Sequence, residues 1–277
     1  MNKKLISIQK APISRSMGPH VRQVIPSALE HADPFVFLDH FGPFEKQVGA
    51  PGVPPHPHAG IATVTYLMEG RNRHQDSYGH DAIIEAGDIA WMQAGKGIIH
   101  SEGMNEEGHE PMQIHGLQFW VSLPAADKFA DPKFYHYPSA TLPSFEEQGA
   151  RIKVLCGTFF GQFSPVKSLS PAYILEVKTK ANSEIEIPIA EGNTCGLYLI
   201  SGSINSDGTS INPTEIAGYT EAGNKIKIES NTESHFILLG GKALNEPIVA
   251  YASFVMNSKE QIIQVIHDYQ DGKMGQL

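Results

Sequence analysis

His56-Pro57-His58-Ala59-Gly60-Ile61-Ala62-Thr63-Val64-Thr65-Tyr66-Leu67-Met68-Glu69-Gly70 carries two signals in one stretch. From Ile61 to Met68 it is rich in β-branched residues and stops at Glu69-Gly70, which predicts a strand closed by a turn. Ahead of that strand, His56 and His58 are two residues apart, and in an extended chain such residues share a face. Pro57 between them removes a backbone donor and stiffens the segment.

The same rhythm continues outward. Ala82-Ile83-Ile84-Glu85 stops at Ala86-Gly87-Asp88, Ile89-Ala90-Trp91-Met92 stops at Gly95-Lys96-Gly97, and the apolar run 117–123 ends before Pro124. Residues 152–155, 173–177, 184–188, 196–200 and 236–239 are equally strand-like. Short strands at a spacing of roughly ten residues, punctuated by glycine, predict an all-β sandwich or barrel. Tyr198-Leu199-Ile200-Ser201-Gly202 echoes Tyr66-Leu67-Met68-Glu69-Gly70, so the chain reads as two copies of one small β-barrel, 1–143 and 150–277, with a boundary near Pro143 to Gly149. One helix is expected near the C-terminus. Ser258 with Gln261 forms a capping-box pattern, Ile262, Val265, Ile266 and Tyr269 make an apolar stripe, and Gly272 can end it in the left-handed region.

The chain has 277 residues, with 41% hydrophobic and 18% charged, enough to fill one or two cores and unlike a disordered polyampholyte. Thirty acidic against 21 basic residues give a net charge of −9, which argues against direct nucleic-acid binding. No apolar run is long enough for a membrane span or follows Met1-Asn2-Lys3-Lys4 as a signal peptide would require, so a cytoplasmic protein is expected. Cys156 and Cys195 are the only cysteines, which leaves neither a disulfide framework nor a thiolate metal site, and both are expected to be buried apolar residues.

Histidine is the informative residue. Eleven of 13 lie at or before position 136. His100-Ser101-Glu102 is a second i, i+2 pair, again beside a glycine-rich turn. Either pair alone reads equally well as ordinary surface or core residues. Together, on neighbouring strands, His56, His58, His100 and Glu102 would present three neutral imidazoles and one carboxylate. That donor set suits a divalent transition metal better than Mg²⁺ or Ca²⁺.

The text also resembles a known family. The stretch 56–70 resembles a signature of the pirin family of the cupin superfamily. So do Asp33-Pro34-Phe35-Val36-Phe37-Leu38-Asp39-His40-Phe41-Gly42-Pro43, His74-Gln75-Asp76-Ser77-Tyr78-Gly79-His80, the run 87–102, the run 116–124, and Glu246-Pro247 onward. This resemblance implies a bicupin, two antiparallel jelly-roll barrels packed together. It implies one metal, usually Fe(II) with other divalent ions accepted, on His56, His58, His100 and Glu102, and a second barrel without ligands. It also implies quercetin 2,3-dioxygenase-type chemistry on a flavonol with O₂; Glu102, the only ionised ligand, is the candidate catalytic base if it can detach, and otherwise tunes the metal. The alternative it implies is a non-catalytic, redox-sensing regulator that binds a protein partner. Ala59, Ile61 and Ala62 stand where the family commonly has Arg, an aromatic and Glu. If those groups sit beside the ligands, their loss should slow turnover.

His74, His80 and His115 are expected to be hydrogen-bonded structural residues near the barrel interior. Trp91 and Trp120 are expected in the core or in a pocket wall. The acidic run from Glu106-Glu107 to Glu110 is expected to be a solvated loop over the cavity mouth.

Overall fold

The computed structural model describes residues 1–277 apart from Ser16, Met17, Pro19, Glu30, His31 and 104–109. It is built of short strands, two 3-10 turns and one α-helix, Lys259–Gln270, among the described residues. The strands group into two compact units. The first barrel comprises Met17–Val21, Asp39–Ser139 and Asn245–Leu277, and the second comprises Met1–Ser16, Arg22–Leu38 and Ala140–Leu244. A single boundary near 143–150 does not describe this division, because both chain ends join the other barrel.

The reason lies in strand pairing and packing at each end. Leu5–Lys10 pairs antiparallel with Glu215–Tyr219. The buried Lys3 ammonium donates to the carbonyls of Asn193, Thr220 and Glu221 at 3.0, 3.2 and 2.7 Å. At the other end, Phe254, Met256, Ile262, Val265 and Met274 form an apolar cluster with Ala59. The helix begins as its sequence predicts: Ser258 accepts from the Gln261 amide, while the Gln261 side chain accepts from Asn257 rather than from the cap itself. It ends at Gly272, whose φ is +72°.

Each barrel repeats one topology. In the first, the larger sheet contains Ile89–Gln93, Ile61–Glu69, Met112–Ser122 and Phe35–Lys46 in that order. The second has Glu215–Tyr219, Asn193–Ser201, Ser234–Lys242 and Ala172–Thr179 in the corresponding places. The smaller sheets correspond too: Val53–His58, Ile98–Gly103, Arg71–Asp76, Asp81–Glu85 against Ser183–Pro188, Lys225–Ser230, Ile204–Ser206, Thr209–Ile211. The sequence echo at Gly70 and Gly202 marks equivalent strand ends, and both glycines have positive φ (+83° and +91°). An added Cβ would collide with backbone at each, which is why glycine closes both strands.

The second barrel is closed by an apolar core that includes Ile185, Ile187, Ile226 and Ile228. The corresponding strand pair of the first barrel instead carries His56 opposite His100.

Candidate metal centre

His56-Pro57-His58 lies on the strand Val53–His58, and His100 and Glu102 lie on Ile98–Gly103. The two strands pair antiparallel, with His56 opposite His100 and His58 opposite Ile98. Along Ile98–Gly103 burial alternates, so Ile98, His100 and Glu102 share the inward face. Its other neighbour, Arg71–Asp76, turns Asn72, His74 and Asp76 inward, with His74 opposite Glu102 and Asp76 opposite His100.

This register brings His56, His58 and His100 together: one ligating atom from each lies within 4.8 Å of the others. His56 Nδ1 is 2.9 Å from the Pro54 carbonyl, and His58 Nδ1 is 3.3 Å from the Ser253 carbonyl. A carbonyl only accepts, so each Nδ1 carries a proton, which leaves Nε2 as the nitrogen that can face a cation. Burial pushes His58 down to about 3, and the neighbouring His56 adds to the effect. Burial, then the imidazoles of His58, His56 and His74, hold His100 well below the usual histidine range. Both rings are therefore neutral at physiological pH, as metal coordination requires.

The arrangement fits a divalent ion. His100 Nε2 and His56 Nε2 are 3.0 Å apart. Two nitrogens bound at right angles to one ion at ~2.1 Å would be ~3.0 Å apart. Glu102 is buried and sits outside the three-histidine group. Its Oε1 is 3.0 Å from Thr65 Oγ1 and 3.1 Å from Asn72 Nδ2, so both contacts fall on one oxygen. Oε2 retains the capacity to take a cation. Thr65 Oγ1 also lies 2.8 Å from the Gln118 side-chain oxygen position. With the Gln118 amide turned to donate, the single hydroxyl proton serves Glu102.

Other histidines have defined partners. His74 Nε2 contacts Asp76 Oδ2 at 3.0 Å, and its ring stacks on Phe134 with centroids 4.0 Å apart. Burial raises the Asp76 carboxyl, but hydrogen bonds from His74 and His80 outweigh it and hold the group below its ordinary value. His115 pairs with His40 through their Nε2 atoms at 2.7 Å. Trp91 is core, and Trp120 meets the His58 ring edge-on at a centroid distance of 5.1 Å. Burial pushes both cysteine thiols up to about 12, so they are inert packing groups.

Comparison with known proteins gives the lineage. Residues 18–121 match the family model described as Pirin, and residues 174–275 match the Pirin C-terminal cupin domain. The chain belongs to the pirin family. It is 34% identical to human pirin over 282 residues, covering 99% of this chain and 94% of that protein. A crystal structure described as quercetin 2,3-dioxygenase from Acinetobacter baumannii superposes with a TM-score of 0.93 at 27% identity, covering 99% of each chain. A bacterial pirin from Escherichia coli, solved in complex with nickel(II), shares the fold (TM-score 0.66, 17% identity, 86% of this chain and 99% of that one). The two barrels are therefore the two cupin domains of the pirin fold.

Two sequence expectations, for Ala59 and Ala62, change against this pirin structure. Ala59 is not beside a ligand cavity but fully buried in the cluster made with the C-terminal helix. Thr65 on the same strand reaches Glu102, so alternation turns Ala62 to the opposite face of the sheet, where it is buried. Ile61, fully buried, shares the face of Thr65 by the same alternation. His74 is hydrogen-bonded as expected, to Asp76, and it also touches His100. Of the acidic run, Glu106 and Glu107 lie outside the described residues, and Glu110 is exposed. Thr65, Asn72 and Gln118 escaped the sequence reading. The period-two series Asn72, His74, Asp76 was the available signal for Asn72, whereas nothing local marks Thr65 or Gln118.

Proposed function

We propose that this pirin is a metal-dependent dioxygenase that binds one divalent ion, Fe(II) in the cell, on His56, His58, His100 and Glu102, and acts on a flavonol such as quercetin. The observation that carries the reading is the convergence of three buried or half-buried imidazoles, two with their proton committed to a backbone carbonyl, beside a buried carboxylate. The A. baumannii structure described as a quercetin 2,3-dioxygenase supports the substrate class.

When bound, the metal supplies Lewis acidity and redox capacity. The chain supplies the rest. Glu102 is the carboxylate of the proposed donor set: with Oε1 held by Thr65 and Asn72, Oε2 would hold the ion or, when free of it, take up the proton of the flavonol hydroxyl. The Trp120 ring offers a flat wall next to His58, suited to a planar aromatic substrate. Apolar neighbours such as Met92 and Phe134 keep the surroundings poor in water.

The test is O₂ consumption with quercetin, measured on the iron-loaded protein and on His58→Ala. The expected result is quercetin-dependent uptake by the loaded wild type alone. No uptake by the fully loaded wild type would overturn the proposed reaction, and uptake by metal-free His58→Ala would overturn the role of this centre.

A further inference from the structure

We infer that Asp76 is a positioning residue: acting through His74, it fixes the proton of the His100 ring on Nδ1 and leaves Nε2 bare toward His56. The inference rests on the metal-centre reading above, and it concerns the one ligand ring whose orientation no backbone carbonyl explains.

The argument runs atom by atom along a line of three side chains. A carboxylate oxygen only accepts, and Asp76 Oδ2 is 3.0 Å from His74 Nε2, so that nitrogen carries a proton. A neutral ring protonated there has a bare Nδ1. His74 Nδ1 is 3.5 Å from His100 Nδ1, which has no other partner among the described residues. His100 Nδ1 therefore donates, across a long hydrogen bond. Its proton is thereby accounted for, and the Nε2 that lies 3.0 Å from His56 Nε2 is an acceptor.

Both intermediates in this line are held rigidly. The His74 ring lies parallel to Phe134, with an interplanar angle of 2°. Asp76 is buried, and its other oxygen, Oδ1, accepts from the backbone of Tyr78 at 3.0 Å and of His80 at 3.2 Å. The carboxylate is thus anchored through Oδ1 to the turn 76–80, while Oδ2 contacts both His74 Nε2 at 3.0 Å and His80 Nδ1 at 2.9 Å. Metal-binding histidines generally give their second nitrogen to a carboxylate or carbonyl, and His56 and His58 follow that rule directly. His100 follows it through one intervening ring.

Asp76→Asn probes the Oδ2 contact with His74, and His80→Ala separates from it the contact that Oδ2 makes with His80. The asparagine keeps Oδ1 for the turn and replaces the Oδ2 acceptor by a donor. His74 Nε2 must then accept, His74 Nδ1 must donate, and His100 is left with its proton on Nε2, where it blocks a cation. The experiment is long-range ¹H–¹⁵N NMR of the metal-free protein, which reports ring tautomers, with Ni²⁺ affinity measured by chelator competition. Wild type should show His100 protonated on Nδ1. Asp76→Asn should show it on Nε2 and bind Ni²⁺ about tenfold to hundredfold more weakly. His80→Ala, which removes another contact of Asp76 but not His74, should match wild type in both readouts.

A wild-type His100 protonated on Nε2 overturns the inference without need of any variant. So does an Asp76→Asn protein with an unchanged His100 tautomer, or an affinity loss in His80→Ala equal to that in Asp76→Asn. A wild type that takes no Ni²⁺ yet shows the tautomer and its reversal overturns the metal-centre reading while upholding the positioning by Asp76.

Discussion

His56 and His100 face each other across an antiparallel strand pair with their Nε2 atoms 3.0 Å apart. Two bare imidazole nitrogens at that distance repel unless a proton or a cation lies between them. Burial opposes the proton, because a charged imidazole loses its hydration. In the corresponding strand pair of the second barrel, Ser183–Pro188 with Lys225–Ser230, Ile185 and Ile228 lie opposite each other in register and are enclosed in the core. One strand frame is thus used twice, closed by dispersion contacts in one copy and by polar side chains that favour a cation in the other.

Removing a donor should separate metal binding from folding. His58→Ala should lower metal content from about one ion per chain to a tenth of that or less, with the far-ultraviolet circular dichroism unchanged, because the strand pairing does not depend on that ring. Glu102→Gln keeps the shape and the Thr65 contact but loses the charge, and should weaken metal binding at least about tenfold. Elemental analysis of protein purified without added metal measures both. A double variant that keeps one ion per chain would place the metal elsewhere.

Ala59→Arg should destabilise the protein rather than raise its turnover. Ala59 is fully buried against Phe254, Met256, Val265 and Met274, and Val255 donates its amide to the Ala59 carbonyl at 3.1 Å. A guanidinium forced into that cluster has no partner and costs about 3–5 kcal/mol. Thermal unfolding should show a drop of 10 °C or more. A variant of unchanged melting temperature with faster quercetin oxidation would return Ala59 to the cavity wall.

Trp120 should matter to substrate binding more than to the chemical step. Its ring meets His58 edge-on, and an aromatic contact of this kind is worth about 0.5–1.5 kcal/mol beyond area burial. Trp120→Ala should therefore raise KM for quercetin about 3- to 10-fold with a smaller change in kcat, and Trp120→Phe should fall between. Steady-state oxygen uptake over a range of quercetin concentrations gives both constants, and a fall in kcat at unchanged KM would contradict the role of a wall.

The strands and the site were legible in the sequence for the same reason: both follow a period of two. Alternation placed His56 with His58 and His100 with Glu102, and glycines marked the strand ends. What alternation cannot show is which strand ends up beside which. The pairing of Leu5–Lys10 with Glu215–Tyr219 joins residues more than 200 positions apart, so the exchange of chain ends had no local signature. The same holds for Thr65 and Gln118, whose approach to Glu102 depends on sheet closure. Ala59 shows the opposite error: nearness in sequence to His58 suggested nearness to the metal, but alternation and Gly60, with φ +76°, turn the chain toward the C-terminal helix instead.

Asp39 should give the protein a pH dependence opposite to that of a salt-bridged carboxylate. The residue is buried, and its Oδ1 has no hydrogen-bond partner among the described residues. Burial pushes the carboxyl up from 3.8 to about 7. Between those values the folded chain binds the proton and the unfolded chain has lost it, so folding is favoured at the acid end and stability falls as pH rises. The loss is complete above pH ~7 and amounts to at most about 4 kcal/mol. Asp39→Asn has no charge to bury. Its stability relative to wild type should be smallest near pH 4–5 and grow until pH ~7, then level off. Urea unfolding of the metal-free proteins at pH 5 and pH 8 measures the difference, and the comparison of the two chains cancels the other titrating groups. A gap between variant and wild type that is equal at both pH values would show that Asp39 titrates as an ordinary carboxylate.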